Sequence, residues 1–202
     1  MRWTVVLPVK GQSGKSRLDA GDARAALAVA FALDAIAASV ACPAVERVVV
    51  VTGDETLAAT EGVEVVADPG VGLHAAIQAG IALVAPGAPA AVVLADLPAL
   101  TPEALDDALA LAAEQPRSYV ADAISTGTTL LAARRADALR PRFGEGSAER
   151  HRAEGHIELP VPVSSGLRVD VDELADLHLA LDLGVGAHTR AVLDGARATD
   201  AA

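Results

Sequence analysis

Lys10 and Lys15 are the only lysines in this 202-residue chain, and both fall in one stretch, Val5-Val6-Leu7-Pro8-Val9-Lys10-Gly11-Gln12-Ser13-Gly14-Lys15-Ser16-Arg17-Leu18. The other fourteen basic residues are arginine. An ammonium on a flexible stem follows a phosphate as a point charge, whereas a guanidinium imposes a planar fork. An apolar run, a Gly-rich turn and a helix follow in the order that phosphate sites use, with helix N–H groups left unpaired at the turn. The two lysines are therefore read as a phosphate loop, with chance clustering as the alternative. The stretch Gly11-Gln12-Ser13-Gly14-Lys15-Ser16 ends like a Walker A motif, and Val92-Val93-Leu94-Ala95-Asp96 looks like a Walker B strand. Counting back from Gly14, however, puts Val9 where the first glycine belongs. The loop is too short to wrap a β-phosphate, so the Walker assignment is rejected.

Acidic residues form the second constellation. Asp96 closes an apolar strand in Leu94-Ala95-Asp96-Leu97-Pro98, at the sheet edge where open α/β folds bind ligands. Asp170 and Asp172 are two apart in Leu167-Arg168-Val169-Asp170-Val171-Asp172, so a strand persisting to Asp172 would project both to one face. Converging with Asp96, they would supply hard oxygen ligands for Mg²⁺, which takes a few carboxylates plus phosphate oxygens. The alternatives are a helix N-cap for Asp172 and a solvated turn acid for Asp96.

Three further segments read as ligand-facing. Asp68-Pro69-Gly70-Val71-Gly72-Leu73-His74 has two glycines that let backbone approach a ligand before a helix. Thr126-Gly127-Thr128-Thr129 offers hydroxyls at a tight turn, and Gly144-Glu145-Gly146-Ser147 opens a helix where a phosphate could sit. The alternatives are an ordinary β-to-α turn, a plain hairpin and a loop leading into a helix. His74, His151, His156, His178 and His188 show no metal-ligand spacing, and nothing defends a Ser-His-Asp or Cys nucleophile. The chemistry implied is transfer by positioning and charge neutralisation.

These residues must be placed by a core that is 52% hydrophobic but only 2% aromatic, and so built from Ala, Val and Leu. The net charge of −11 argues against a nucleic-acid or anionic-membrane surface. An anionic substrate then needs local help from the lysine loop and a metal ion. Cys42 is the single cysteine, which excludes an intrachain disulfide and fits the cytoplasm. Met1-Arg2-Trp3 runs into a strand pattern and not a signal peptide. The apolar stretch Ala25 to Ala41 is interrupted by Asp34 and reads as a buried helix and not a membrane span.

Strands are expected at Trp3–Val9, Arg47–Thr52, Val63–Ala67 and Ala90–Ala95, with helices at Ala23–Val40, Leu73–Val84 and from Thr101-Pro102 onward. Such alternation predicts an α/β fold with a mostly parallel, doubly wound sheet. Ser118–Ala123 and Thr128–Ala133 follow each other without a helix, which predicts an antiparallel excursion. A short polar helix after Ser147, a last strand Gly166–Val171 and a last helix Glu173–Leu183 complete one domain over residues 1–194, with 195–202 a frayed tail.

Taken in order, several segments resemble the phosphoenolpyruvate or 2-phospho-L-lactate guanylyltransferases of coenzyme F-420 biosynthesis. The segments are Leu7-Pro8-Val9-Lys10-Gly11 with Lys15-Ser16-Arg17-Leu18, Asp68 to Leu73, Leu94 to Leu100, Ala121-Asp122-Ala123 with Gly127 to Leu131, Phe143 to Ser147, and Leu167 to Asp172. The resemblance covers most of the chain and implies a GT-A-like nucleotidyltransferase fold. It implies that the phosphate of a small three-carbon acid attacks the α-phosphorus of GTP and releases pyrophosphate. Lys10, Gly11, Lys15 and Arg17 would then bind the triphosphate. Asp68, Gly72 and Leu73 would lie by the nucleoside, and Thr128, Gly144 and Ser147 would hold the acid. Asp96, Asp170 and Asp172 would hold Mg²⁺, with Lys10, Lys15 and Asp96 as the catalytic set. His74 stands where the resemblance leads one to expect Asn. The Ala-rich, Lys-poor composition hints at a high-GC, actinobacterial-type source, for which the resemblance implies phosphoenolpyruvate as the acid. A molybdopterin or sugar-phosphate nucleotidyltransferase is the enzymatic rival, but those carry an Arg in the first loop where this chain has Gln12 and Ser13. A GTP-binding module without transfer would need the lysine loop but not the three acids.

Overall fold

The computed structural model describes residues 1–9, 24–54, 56–57 and 60–200, with backbone alone for 197–200. Lys10, Gly11, Lys15 and Arg17 lie outside the described residues. A seven-stranded sheet is formed by β1 (Trp3–Val9), β2 (Val45–Thr52), β3 (Glu64–Ala67), β4 (Ala90–Val93), β5 (Arg117–Ala121), β6 (Thr128–Ala133) and β7 (Ile157–Glu158). Their spatial order is β3-β2-β1-β4-β6-β5-β7. Parallel pairing joins β1 to β2 (Leu7 opposite Val50) and to β4 (Val6 opposite Val92), while β6 runs antiparallel to both β4 and β5. β6 is the predicted antiparallel excursion.

The helices are α1 (Arg24–Ala41), α2 (Leu73–Ile81), α3 (Pro102–Ala113), α4 (Ser147–Ala153), α5 (Leu174–Leu183) and α6 (Ala187–Asp200). Strand side chains alternate between two cores, as the two-residue period of a pleated strand requires. Val5, Leu7, Val48 and Val50 pack with Ala35, Ile36, Leu105 and Leu109 on the side of α1 and α3. Val6, Val49 and Val51 pack with Ala76 and Ile77 of α2 and Ala148 of α4 on the other. Burial on both faces explains the apolar runs over residues 5–9 of β1 and 48–51 of β2. Gly80 lets α2 lie on β1, because a Cβ there would stand 2.3 Å from Val6 Cγ1. By length and hydropathy α1 could cross a bilayer, but half of it is buried inside the protein, where Phe31, Ala32, Ala35 and Ile36 are covered. It is a core helix.

Two expectations change. The segment Gly166–Val171 is not a strand. It forms a short 3-10 turn over Gly166–Arg168 and then crosses the strand ends. Its N–H groups go to separate loop carbonyls, such as Ser165 for Arg168 and Asp96 for Val171, so no ladder forms. A further helix, α6, also follows the one expected to be last. Asp34, only 5% exposed, caps that helix from the middle of α1. Its Oδ1 accepts from the His188 N–H at 2.9 Å and its Oδ2 from the Thr189 N–H at 3.0 Å, as an N-cap residue would.

Candidate active site at the carboxyl edge of the sheet

The topology gathers several acids at one edge. β3 leaves the sheet at Asp68, β4 at Leu94-Ala95-Asp96 and β5 at Asp122, all at the carboxyl ends of parallel strands. Because β6 runs the other way, it begins at this edge with Thr128, and the Leu94 N–H donates to Thr129 O at 2.9 Å. The strand order also reverses here, between β1 and β4, which is where open α/β sheets form their ligand crevice.

Asp170 reaches this edge by close backbone packing. Gly166 lies on the Ala99 carbonyl, where an added Cβ would come within 1.8 Å of the oxygen. The Val171 N–H then donates to Asp96 O at 3.0 Å. Asp170 is largely covered, and its pKa is pushed up from 3.8 to about 7. Burial is the main cause, followed by the Asp96 charge, with Asp122 and Asp172 adding to it. The fold thus brings Asp96 and Asp170 together. Asp172 does not share a strand face with Asp170; it is exposed beside the pair. The Asp176 carboxylate accepts the Asp172 N–H at 3.0 Å and the Glu173 N–H at 2.8 Å at the start of α5. Among the described residues no group of three or more His, Cys, Asp or Glu is placed to hold a metal ion.

Two residues without an assigned role in the sequence hold this arrangement. The Asp122 carboxylate accepts from the Thr126 N–H at 2.9 Å and the Gly127 N–H at 2.6 Å, fixing the β5–β6 turn. A side chain at Gly127 would meet Asp122 Oδ2 at 2.5 Å. Arg168, only 7% exposed, donates from Nη2 to Asp122 O at 2.6 Å and to Ser125 Oγ at 3.0 Å, and from Nη1 to Val161 O at 3.0 Å. It ties the Asp170 segment to the hairpin. An arginine between two apolar residues in Leu167-Arg168-Val169 was the available signal.

Thr128, Gly144 and Ser147 form a second cluster. The Ser147 N–H donates to Gly144 O at 3.0 Å, and the Ala148 N–H to Thr126 O at 3.1 Å, which docks α4 on the hairpin. Gly144 (φ 113°) and Gly146 (φ 68°) take backbone angles that L side chains rarely adopt. Thr128 Oγ1 lies 2.9 Å from His151 Nδ1. His151 is fully buried among Tyr119, Phe143 and His156, and its pKa is pushed down to about 3, chiefly by burial. Reading the histidines only for metal spacing missed it. Its place one helical turn after Ser147 was the legible sign.

Asp68, Gly72 and Leu73 stand at the same edge, with β2 and β1 between their strand and that of Asp96. Asp68 Oδ1 accepts the Gly70 N–H at 2.9 Å, Gly72 (φ 104°) caps α2, and His74 is exposed in its first turn. A mostly apolar groove of about 510 Å³ beside α1, lined by Leu33, Ile36, Val40, Thr56 and Thr60, contains none of these residues.

Residues 29–157 match the family model of the MobA-like NTP transferase domain. The chain is 49% identical to the phosphoenolpyruvate guanylyltransferase of Streptomyces scabiei, over 95% of both chains. It is 46% identical to that of Thermomonospora curvata, over 95% of this chain and 89% of that one. The chain belongs to the phosphoenolpyruvate guanylyltransferase family. It is a nucleotidyltransferase, as the resemblance implied. Solved structures share the fold at low identity. A nucleotidyl transferase from Methanothermobacter superposes with a TM-score of 0.61 at 19% identity, over 90% of this chain and 97% of that one. A Mycobacterium tuberculosis protein solved in complex with manganese gives 0.56 at 20% identity, over 90% and 98%. The mostly parallel GT-A-like sheet expected of the family is the sheet described above.

Proposed function

We propose that this chain transfers the GMP moiety of GTP to phosphoenolpyruvate, releasing pyrophosphate, as a cytoplasmic step of coenzyme F-420 biosynthesis. The observation that carries the reading is the meeting of Asp96 and Asp170 at the carboxyl edge, in a family whose members bear this activity as their name. What supports phosphoenolpyruvate over 2-phospho-L-lactate is the name its relatives carry. A phosphate oxygen of the acid attacks the α-phosphorus, and pyrophosphate leaves from the opposite side, so no covalent protein intermediate is needed.

Thr128, Gly144 and Ser147 hold the acid, and Asp68, Gly72 and Leu73 flank the nucleoside. Lys10, Gly11, Lys15 and Arg17 take the triphosphate. The acidic pair fits Mg²⁺: the Asp170 carboxylate, raised in pKa by burial and by the Asp96 charge, is relieved by a hard cation, and Mg²⁺ needs only one or two carboxylates besides phosphate oxygens and water. Asp96 and Asp170 would hold it, with Asp172 at the rim. When bound it neutralises phosphate charge and takes up charge on the leaving group. The chain's own groups align the two phosphates and keep them from drifting apart, which is most of what this chemistry asks of a protein.

Asp96→Asn tests the assignment. Pyrophosphate release should fall by at least about a hundredfold while GTP binding persists, as expected when charge stabilisation in the transition state is lost. Unchanged release would remove the acidic pair from the reaction.

A further inference from the structure

Thr128 Oγ1 and His151 Nδ1 are 2.9 Å apart, and which of the two donates is decided at the other side of the ring. There the backbone N–H of Arg142 donates to His151 Nε2 at 2.8 Å. A backbone N–H can only give, so Nε2 carries the lone pair and the ring proton of the neutral imidazole sits on Nδ1. Nδ1–H therefore donates to Thr128 Oγ1. One lone pair of the threonine hydroxyl is then taken, and its own proton is still to place. Among the described residues nothing accepts that proton, although Thr128 is only 3% exposed. A buried hydroxyl without an acceptor is costly. Thr128 is the first residue of β6, at the edge where the phosphorylated acid is proposed to lie.

We infer that His151 is a positioning residue for the acid: by donating to one lone pair of Thr128 Oγ1, it keeps the hydroxyl from giving its proton to the ring and leaves that proton for a phosphate or carboxylate oxygen of the substrate. This deepens the function proposed above and rests on Thr128 contacting the acid. The surroundings suit a fixed neutral ring. Tyr119, Phe143 and His156 pack on it with ring centroids at 6.1, 5.1 and 5.6 Å. The 140–146 loop is pinned through Arg142, and the Arg150 Nε–H donates to Arg142 O at 3.1 Å. One imidazole therefore sets both the hydroxyl of β6 and the loop that carries Gly144 and leads into Ser147.

The test separates this role from packing and from the parent reading. In His151→Gln the amide takes the place of Nε2 and the donor to Thr128 is lost; in His151→Asn the amide takes the place of Nδ1 and the donor is kept. The Michaelis constant for phosphoenolpyruvate should rise about tenfold in His151→Gln and in Thr128→Val, the size of one lost hydrogen bond. In His151→Asn it should rise no more than about threefold, and Thr128→Val/His151→Gln should be no worse than Thr128→Val. The Michaelis constant for GTP should stay put throughout. If Thr128→Val leaves the value for the acid unchanged, the placement of the acid is wrong. If Thr128→Val raises it but His151→Gln does not, or His151→Gln affects only GTP or turnover, the inference is overturned. Nitrogen NMR of the wild-type histidine rings provides a check that needs no variant: the His151 proton must be on Nδ1 at neutral pH, and a proton on Nε2 would overturn the inference.

Discussion

Replacing Asp170 by Asn should make the metal-free protein more stable while disabling it. Burial and then the neighbouring Asp96 charge push the Asp170 pKa up from 3.8 to about 7. At about 1.36 kcal/mol per pH unit, keeping it ionised above that pH costs the native state up to about 4 kcal/mol. The group is not wholly buried and an amide is also desolvated, so the gain expected from Asp170→Asn is nearer about 2 kcal/mol, or about 4–8 °C in melting temperature for a chain of this size.

The sign follows from linkage. The native state holds this proton more tightly than the unfolded chain does, so its stabilising share is full below about pH 4 and is lost as pH rises to about 7. Thermal unfolding in chelator should therefore show the variant melting higher at about pH 8 and level with the wild type at about pH 4. Adding Mg²⁺ should raise the wild type more than the variant. A variant that melts lower than or equal to the wild type at about pH 8, or a gap of the same size at about pH 4, would refute the claim that Asp96 and Asp170 crowd each other.

Gly166→Ala should cost about 3 kcal/mol or more, because the new methyl would lie 1.8 Å from a backbone oxygen that cannot step aside; a wild-type urea midpoint would contradict the packing described. The same change should lower turnover in the folded fraction, since it displaces the segment that brings Asp170 to Asp96. Asp34→Ala removes both acceptors at the start of α6 and should cost about 2–3 kcal/mol, with amide exchange in residues 187–196 speeding up first. Uniform exchange across the chain would show that the cap is not what holds that helix.

Much of the framework was legible because it depends on local pattern. The apolar runs of β1 and β6 gave their bounds as observed, and Thr101 caps α3 through the Ala104 N–H at 3.2 Å, with Pro102 in the first turn. Asp96 was legible as an acid ending a buried strand. Asp170 stands beside it by another route than the expected strand: a glycine pressed on a carbonyl, which a pattern of alternating apolar residues cannot distinguish from a ladder. What stayed hidden depends on distant partners. Arg168 finds Asp122 across 46 residues, and His151 finds Thr128 across 23. The cap of α6 comes from 154 residues away, so a helix beyond the one expected to be last was not legible from its own stretch.

The account predicts one product. With GTP, Mg²⁺ and phosphoenolpyruvate, mass spectrometry should show enolpyruvate joined through a diphosphate to guanosine, in step with pyrophosphate release. Intact GTP after prolonged incubation, or coupling to a sugar phosphate or molybdopterin but not to phosphoenolpyruvate or 2-phospho-L-lactate, would contradict it.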